Sequence, residues 1–427
     1  MADRLNSEIA IIGGGWAGLA AAVTLADAGK HVHLFESAKQ LGGRSRSVNW
    51  DGLTIDNGQH LMAGAYRQTF ALMDRLDTLG LLERRRLDLR GPGFQLTLPK
   101  LPAPFHLVAG LISARGLSLA DKWAAVRFMQ ALKRRHFRLD HDITASTLLA
   151  TYLQPGELVD RLWEPICVAA LNTPLAMASA QVFCNVLRDS LAGAREDSDF
   201  LFNRSAMGRL LPEAAQRFLT ERGSSVQLSS RVDGLRLEDG RFILGGPDAV
   251  SDRLIIATHP SQTPALLAGV DAAAAIAAKL RQFSWQPIFT LYLRFASPIA
   301  FPYPMLALDH GAAFWAFERN DLAPGLVAIV ASAEGPHLQQ TPESLRDELL
   351  QKLATDLGPL PPLLNWKAIN EKRATFACTP NLDRPGNATP VPGLYLAGDY
   401  TAGDYPATLE GAVRSGVECA RLILERT

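Results

Sequence analysis

The sequence predicts an α/β fold in which βα units at the two chain ends enclose a mixed α+β middle. Three observations predict it. Residues 9–35 run apolar strand, glycine turn, alanine-rich helix, strand; Gly393 to Glu425 returns to strand, glycine turn and helix; between them a long stretch of helical spacing is followed by β-rich runs. At 427 residues the chain exceeds one ordinary hydrophobic core, so two or three domains are expected. A first domain that is left early and re-entered at the end explains why both termini carry βα units.

The opening strand is Ile9 to Ile12, the turn Gly13 to Gly18, the helix runs to Ala28 with Gly29 closing it, and His31 to Phe35 is the second strand. Gly13, Gly15 and Gly18 stand as GxGxxG. The first makes a tight turn, the second lets the backbone approach a pyrophosphate, and the third lets helix and strand pack closely. Ala17 lies in the first helical turn, where unpaired N–H groups and the positive dipole end face an anion. Glu36 follows Gly18 by 18 residues; its carboxylate suits ribose hydroxyls and repels the extra phosphate of NADP, leaving FAD or NAD.

Two further segments narrow that choice. Gly42, Gly43 and Arg44 come just after the second strand, followed by Asp56-Asn57-Gly58-Gln59-His60. Near the C-terminus Gly398 and Asp399 end an apolar run, and Tyr405 to Ala412, including Thr408 and Leu409, opens a helix whose N-terminus is placed to meet accumulating negative charge. No second GxGxxG is visible, so no separate nicotinamide domain is expected.

In the middle, Leu87 to about Asn203 reads as mostly helical, and Ala120 to Arg138 has helical spacing with a basic end. Glu238, Asp239 and Gly240 turn a hairpin within Gln227 to Ile243, and a short strand follows at Leu254 to Ala257. Ile288 to Phe295, Ala312 to Glu318 and Leu326 to Ala331 read as an antiparallel sheet. Thr341 caps a helix that has Pro342 at its first position and runs to about Leu357. The expected division is residues 1–86, 204–260 and 390–427 for the nucleotide domain, 87–203 for a helical substrate or membrane-facing part, and 261–389 for a sheet-based substrate part.

Composition sets outer limits. Lys plus Arg equals Asp plus Glu at 43 each, so no overall field draws the protein to nucleic acid. Cys167, Cys184, Cys378 and Cys419 show no CxxC and no metal-ligand spacing; reduced thiols, no metal and a cytoplasmic location are expected. No signal peptide and no run of eighteen apolar residues is seen. Leu101 to Ile112 is apolar and Lys133 to Arg138 is basic with an embedded Phe, a pairing that suits either the inner face of a membrane or a buried loop beside a solvated helix end.

The GGR triplet after a Rossmann unit resembles the flavin amine oxidase and phytoene desaturase superfamily, with an FAD-binding Rossmann-like domain of the glutathione-reductase/amine-oxidase type and a discontinuous α+β substrate domain. Within it, DNGQHLMAGAY (56–66), EKRATFACTP (371–380) and GDYTAGDYPATLEGAVRSG (398–416) resemble the hydroxysqualene dehydroxylases of bacterial hopanoid synthesis. The likeness spans residues 9 to about 416.

That resemblance implies FAD, with Arg44 near its phosphates, the Gly58-Gln59-His60 turn near the ring, Asp399 on the ribityl chain and Val232 at the adenine. It implies a C30 allylic alcohol that loses water as a cation and accepts hydride from reduced flavin. The acid is open: His60 is a candidate or else only buttresses the turn, and Asp404 and Tyr405 are further candidates. Association with prenyl synthases is a possible partner relation of such proteins. Carotenoid desaturation is the nearest rival, with amine oxidation and a non-catalytic scaffold behind it.

Overall fold

The structure, a computed structural model, describes residues 5–308 and 314–425. The chain begins with β1 (Leu5–Ile12), α1 (Trp16–Asp27) and β2 (Val32–Phe35). Next come β3 (Leu53–Asp56) and α2 (Arg67–Arg75). A hairpin, β4 (Asp88–Gly91) and β5 (Phe94–Thr97), leads into α3 (Phe105–Ser113), α4 (Leu119–Arg134), α5 (Glu164–Leu171) and α6 (Ala180–Ser190), and β6 (Phe200–Asn203) ends this part. The expectation of a mostly helical 87–203 is thus corrected at both ends, where short strands pair.

The first sheet gains β7 (Ser225–Gln227), β8 (Leu235–Glu238), β9 (Arg241–Leu244) and β10 (Ala249–Ile256). Asp239 and Gly240, both at positive φ, make the β8–β9 turn expected there. A second sheet contains β11 (Trp285–Phe295), β12 (Met305–Ala307), β13 (Phe314–Glu318), β14 (Leu326–Ser332) and β15 (Leu363–Phe376), with α7 (Pro342–Leu357) packed on one face. The chain closes with β16 (Leu394–Leu396) and α8 (Leu409–Leu424).

The first sheet has the order β7-β2-β1-β10-β9-β8, and β16 pairs with β10 in parallel. Strands β7, β2, β1 and β10 run parallel, and the apolar runs Ile9–Ile12, Val32–Phe35 and Leu254–Ile256 of the inner three match a sheet covered on both faces. α1 and α8 pack side by side against it in one apolar cluster. Sequence-distant β1, β10 and β16 therefore become neighbours, and the loops after them converge on one edge, where α/β sheets bind ligands.

The second sheet is antiparallel in the order β12-β13-β14-β11-β15. Residues 312–313 of the expected Ala312 to Glu318 strand lie outside the described residues. β15 was not anticipated. It is an edge strand whose residues are mostly half-exposed, so the sequence LLNWKAINEKRATF lacks the apolar alternation that marks a strand with one buried face.

Candidate functional site

The glycine turn is shaped by contacts that exclude a side chain. Gly13 holds φ +108°, and a Cβ there would stand 2.6 Å from the Ala257 carbonyl oxygen. At Gly18 it would stand 2.0 Å from the Gly13 oxygen, which fixes how closely α1 lies on β1. Gly15 differs: a Cβ there would meet nothing nearer than Gly43 Cα at 4.0 Å, so the space before it is open. Gly15 caps α1 without a side-chain hydrogen bond and the first turn carries no acid. A cradle with free N–H groups and a positive helix end results.

Glu36 braces this cradle. Its Oε2 accepts from Gly14 N at 2.7 Å and its Oε1 from Ala38 N at 2.8 Å, while the side chain still forms part of the cavity wall. Gly42, at φ +111°, pairs with Gly15 as an isolated bridge and donates to Gly14 O at 2.8 Å. Arg44 is thereby swung across the site, donating to both Asp399 oxygens at 2.8 and 2.7 Å and to Ala374 O at 2.6 Å.

The 56–60 turn is held from behind. Asp56 is fully buried, accepts from Met207 N at 2.7 Å and lies 3.7 Å from the Arg319 guanidinium. Burial pushes its carboxyl above the usual range, and Arg319 pulls the other way. Arg319 also donates to Gln59 Oε1 at 2.5 Å, which leaves Gln59 and His60 on the cavity wall.

These elements surround one cavity of about 960 Å³, at the large end of the ordinary range for small-molecule sites. One arm is polar, lined by Gly13, Gly15, Glu36, Arg44, Val232, Asp399 and Thr408. The other is an apolar chamber lined by Leu87, Leu89, Ile166, Trp315, Phe317 and Val330. Among the described residues, Trp16 Nε1, His60 Nε2, His259 Nε2 and Tyr400 OH are buried without a hydrogen-bond partner, and all four residues line this cavity. Unpaired buried donors are rare unless a ligand or water takes them. Together with the open cradle at Gly15, they fit a bound group rich in acceptor oxygens and nitrogens.

Burial, with Arg319 and Arg44 nearby, pushes His60 down to about 4. His259 is pushed down to about 4 by burial and by Arg44. Its Nδ1 accepts from Ser261 N at 3.2 Å, so the neutral ring carries its proton on Nε2, and the ring lies against Trp285 at 4.6 Å with the planes tilted by 40°. Both imidazoles are neutral at pH 7.

Residues 16–424 match the family model described as flavin containing amine oxidoreductase. The chain belongs to the flavin-containing amine oxidoreductase family. It is 30% identical to a hydroxysqualene dehydroxylase of Rhodopseudomonas palustris over 98% of this chain and 99% of that one. A hydroxysqualene dehydroxylase of Sinorhizobium fredii is also 30% identical, over 99% and 100%. A zeta-carotene desaturase of Synechocystis is 26% identical over 98% and 97%. Solved structures of putrescine oxidase (TM-score 0.73, 17% identity, 99% and 100% coverage) and of cyclohexylamine oxidase from Brevibacterium oxydans (0.69, 18%, 98% and 99%) share the fold. The expected resemblance and fold class are borne out, and the protein is a flavin-dependent oxidoreductase.

In this member of the flavin-containing amine oxidoreductase family, Gly13, Gly15, Ala17, Glu36, Gly42, Gly43, Arg44, Gln59, His60, Val232, Gly398, Asp399, Thr408 and Leu409 all line the one cavity. Gly18 and Gly58 do not reach its wall; Gly18 sets helix packing and Gly58 sits buried within the turn. The acid candidates need correction. Asp404 is exposed and ion-paired to Arg188 at 3.3 Å, Tyr405 lies against the Arg414 guanidinium, and neither lines the cavity. Their separation from Asp399 is short in sequence, but the chain turns away before α8 starts. His60 is on the wall, yet desolvation keeps it from being a titrating acid near neutral pH.

Sequence reasoning missed Trp16, Tyr66, His259 and Arg319. Trp16 was within reach, since it sits between Gly15 and Ala17 in the motif. His259 follows the expected Leu254 to Ala257 strand, and the end of a parallel strand is where a site is to be sought. Arg319 carries no sequence signal, because its partners Asp56 and Gln59 come from the other end of the fold.

Among the described residues no cluster of three or more His, Cys, Asp or Glu could hold a metal ion, and no helix is long and apolar enough to cross a membrane.

Proposed function

We propose that this chain binds FAD and reduces hydroxysqualene to squalene, as a step in hopanoid formation. The observation that carries the reading is one cavity whose wall joins a polar set from the glycine turns (Gly13, Gly15, Glu36, Arg44, Asp399) to an apolar set (Leu89, Ile166, Trp315, Phe317, Val330). The names of the two relatives at 30% identity support the substrate. FAD is favoured over NAD because the cavity extends past the Arg44–Asp399 pair to the start of α8, a second helix end toward a ring that gains negative charge.

When bound, the reduced flavin supplies a hydride to the carbon from which the hydroxyl leaves. In the net reaction a C–O bond breaks and a C–H bond forms; of the two hydrogens lost when the flavin is oxidised, one ends in that C–H bond and the other, as a proton, in the departing water. The free N–H groups of α1 and the backbone at Gly15 would hold the diphosphate, and Glu36 and Val232 would flank the adenosine. Leu89, Ile166, Phe317 and Val330 keep water from a cation that would otherwise recapture it. Tyr66 lines the same cavity, and burial pushes its phenol upward, so it stays a hydrogen-bond donor at any working pH. Asn172 and Thr375 satisfy each other at 2.9 Å on the wall, leaving the chamber few groups that compete for the cation.

Desaturation of a carotenoid in the same chamber, with the cofactor working as oxidant, is the second reading, favoured by the likeness to zeta-carotene desaturase. Anaerobic photoreduction followed by hydroxysqualene separates the two. Flavin reoxidation with formation of squalene is the expected result; reduced protein that stays reduced, while oxidised protein converts a polyene precursor, would establish the alternative.

A further inference from the structure

The face formed by α3 and α4 exposes the kind of side chains that folding normally hides. Phe105 is 63% exposed, Ile112 64%, Leu119 76% and Trp123 65%, with Leu101 and Val108 beside them. The pattern is helical: Phe105, Val108 and Ile112 lie on one side of α3, whereas His106, Gly110 and Leu111 are buried on the other. Leu119 and Trp123 share a side of α4. Lys122 Nζ donates to Ile112 O at 2.7 Å, which fastens the two helices so that their apolar sides adjoin. A contiguous apolar patch of this kind marks a contact surface.

The charge around it is one-sided. Residues 100–138 contain Lys100, Arg115, Lys122, Arg127, Lys133, Arg134, Arg135 and Arg138 against the single acid Asp121, in a chain whose charges balance overall, and Arg135 is paired to Asp140 just beyond the segment. Asp121 is tied back to Ser118 as the capping box of α4. Large apolar side chains rimmed by cations match an anionic bilayer, with rings and branched chains at the acyl boundary and lysines and arginines at the headgroups.

The face also lies one layer from the chamber. Gly110 of α3 packs so tightly on β5 that a Cβ would come within 2.5 Å of Leu98, and Leu98 N donates to Leu87 O, a chamber residue. His106 Nε2 meets Ser198 Oγ, on the cavity wall, at 3.2 Å. We propose that the α3–α4 face, centred on Phe105, Ile112, Leu119 and Trp123, seats the protein on an anionic bilayer surface and sets the apolar chamber beside it. The inference rests on exposure and charge rather than on which isoprenoid reacts, so its failure leaves the proposed reaction untouched.

Flotation of the purified full-length holoprotein with phosphatidylglycerol/phosphatidylcholine vesicles tests it. Binding is expected to anionic vesicles and to fall with added salt. Phe105→Ser/Ile112→Ser/Trp123→Ser should abolish it, and Arg127→Gln/Arg134→Gln should weaken it at least tenfold, at roughly fivefold per charge, with flavin absorbance and melting temperature retained as proof of folding. Anionic vesicles carrying brominated acyl chains should quench wild-type fluorescence more than that of Trp123→Phe. Equal binding by the triple variant, absence of vesicle binding by wild type, or a stable dimer in solution that the same substitutions dissociate would each overturn the proposal.

Discussion

Arg44 and Asp399, 355 positions apart, form a two-pronged ion pair at 2.8 and 2.7 Å that joins the glycine turn of the first βα unit to that of the last. The Asp399 side chain is 6% exposed and that of Arg44 33%, so the carboxylate is desolvated while the guanidinium keeps a hydrated edge. The pair holds these two segments in register across the cavity.

Asp399→Asn should therefore loosen both segments. We expect a stability loss of about 1–3 kcal/mol, smaller than for a fully buried pair because Arg44 is partly solvated, and at least tenfold weaker flavin binding. Arg44→Lys, which retains charge but not the fork, should fall between. Calorimetry and flavin titration of the apoprotein read both effects.

Gly15→Ala separates folding from cofactor binding. Its added Cβ meets only Gly43 Cα, at an unstrained 4.0 Å, so the melting temperature of the apoprotein should hardly move. The same methyl group fills the open cradle, and flavin retention should drop by at least tenfold. Gly13→Ala, by contrast, should unfold the turn, since Cβ would lie 2.6 Å from Ala257 O at a φ of +108°.

His60 and His259 are both pushed down to about 4 by burial, against an ordinary value near 6.5. The unfolded chain thus binds more protons than the native one between those values. Stability should be flat above about pH 6.5 and fall as pH is lowered toward 4, by up to about 3 kcal/mol per ring. Apoprotein melting temperature against pH checks this, and His60→Gln/His259→Gln should flatten the curve. A profile that rises on acidification would contradict the assigned neutral rings.

Glu410 is fully buried at the start of α8 and accepts from Gln68 N, Thr69 N, Thr69 Oγ1 and Arg414. Glu410→Ala strands these donors and should cost about 3–5 kcal/mol. Urea unfolding would measure it.

Chamber volume should govern turnover separately from cofactor binding. Ala169, an exposed residue of α5, lines the cavity. Ala169→Trp should leave the flavin spectrum unchanged while lowering kcat/KM for a C30 substrate by at least tenfold, read by steady-state product analysis.

The glycine turn, Glu36, the GGR triplet and the Gly398–Asp399 turn were legible in the sequence because local backbone geometry dictates their residue types. A positive φ, a close helix approach and a free helix end each demand particular residues at fixed spacing, whatever the rest of the chain does. The capped helix α7 and the hairpin turn at Asp239-Gly240 were legible for the same reason.

Tertiary structure alone decided which of these groups meet. Arg44 finds Asp399, Arg319 braces Asp56 and Gln59, and His259 enters the wall, all through contacts between segments hundreds of residues apart. Such pairings leave no spacing to read, because they follow from strand order in the first sheet and from how the second sheet packs against its loops. The neutral state of His60 was equally invisible, since desolvation depends on what packs around a ring and not on its neighbours in sequence. Local geometry thus wrote the cofactor motifs into the sequence, while long-range packing set their partners, their protonation and the wall of the chamber.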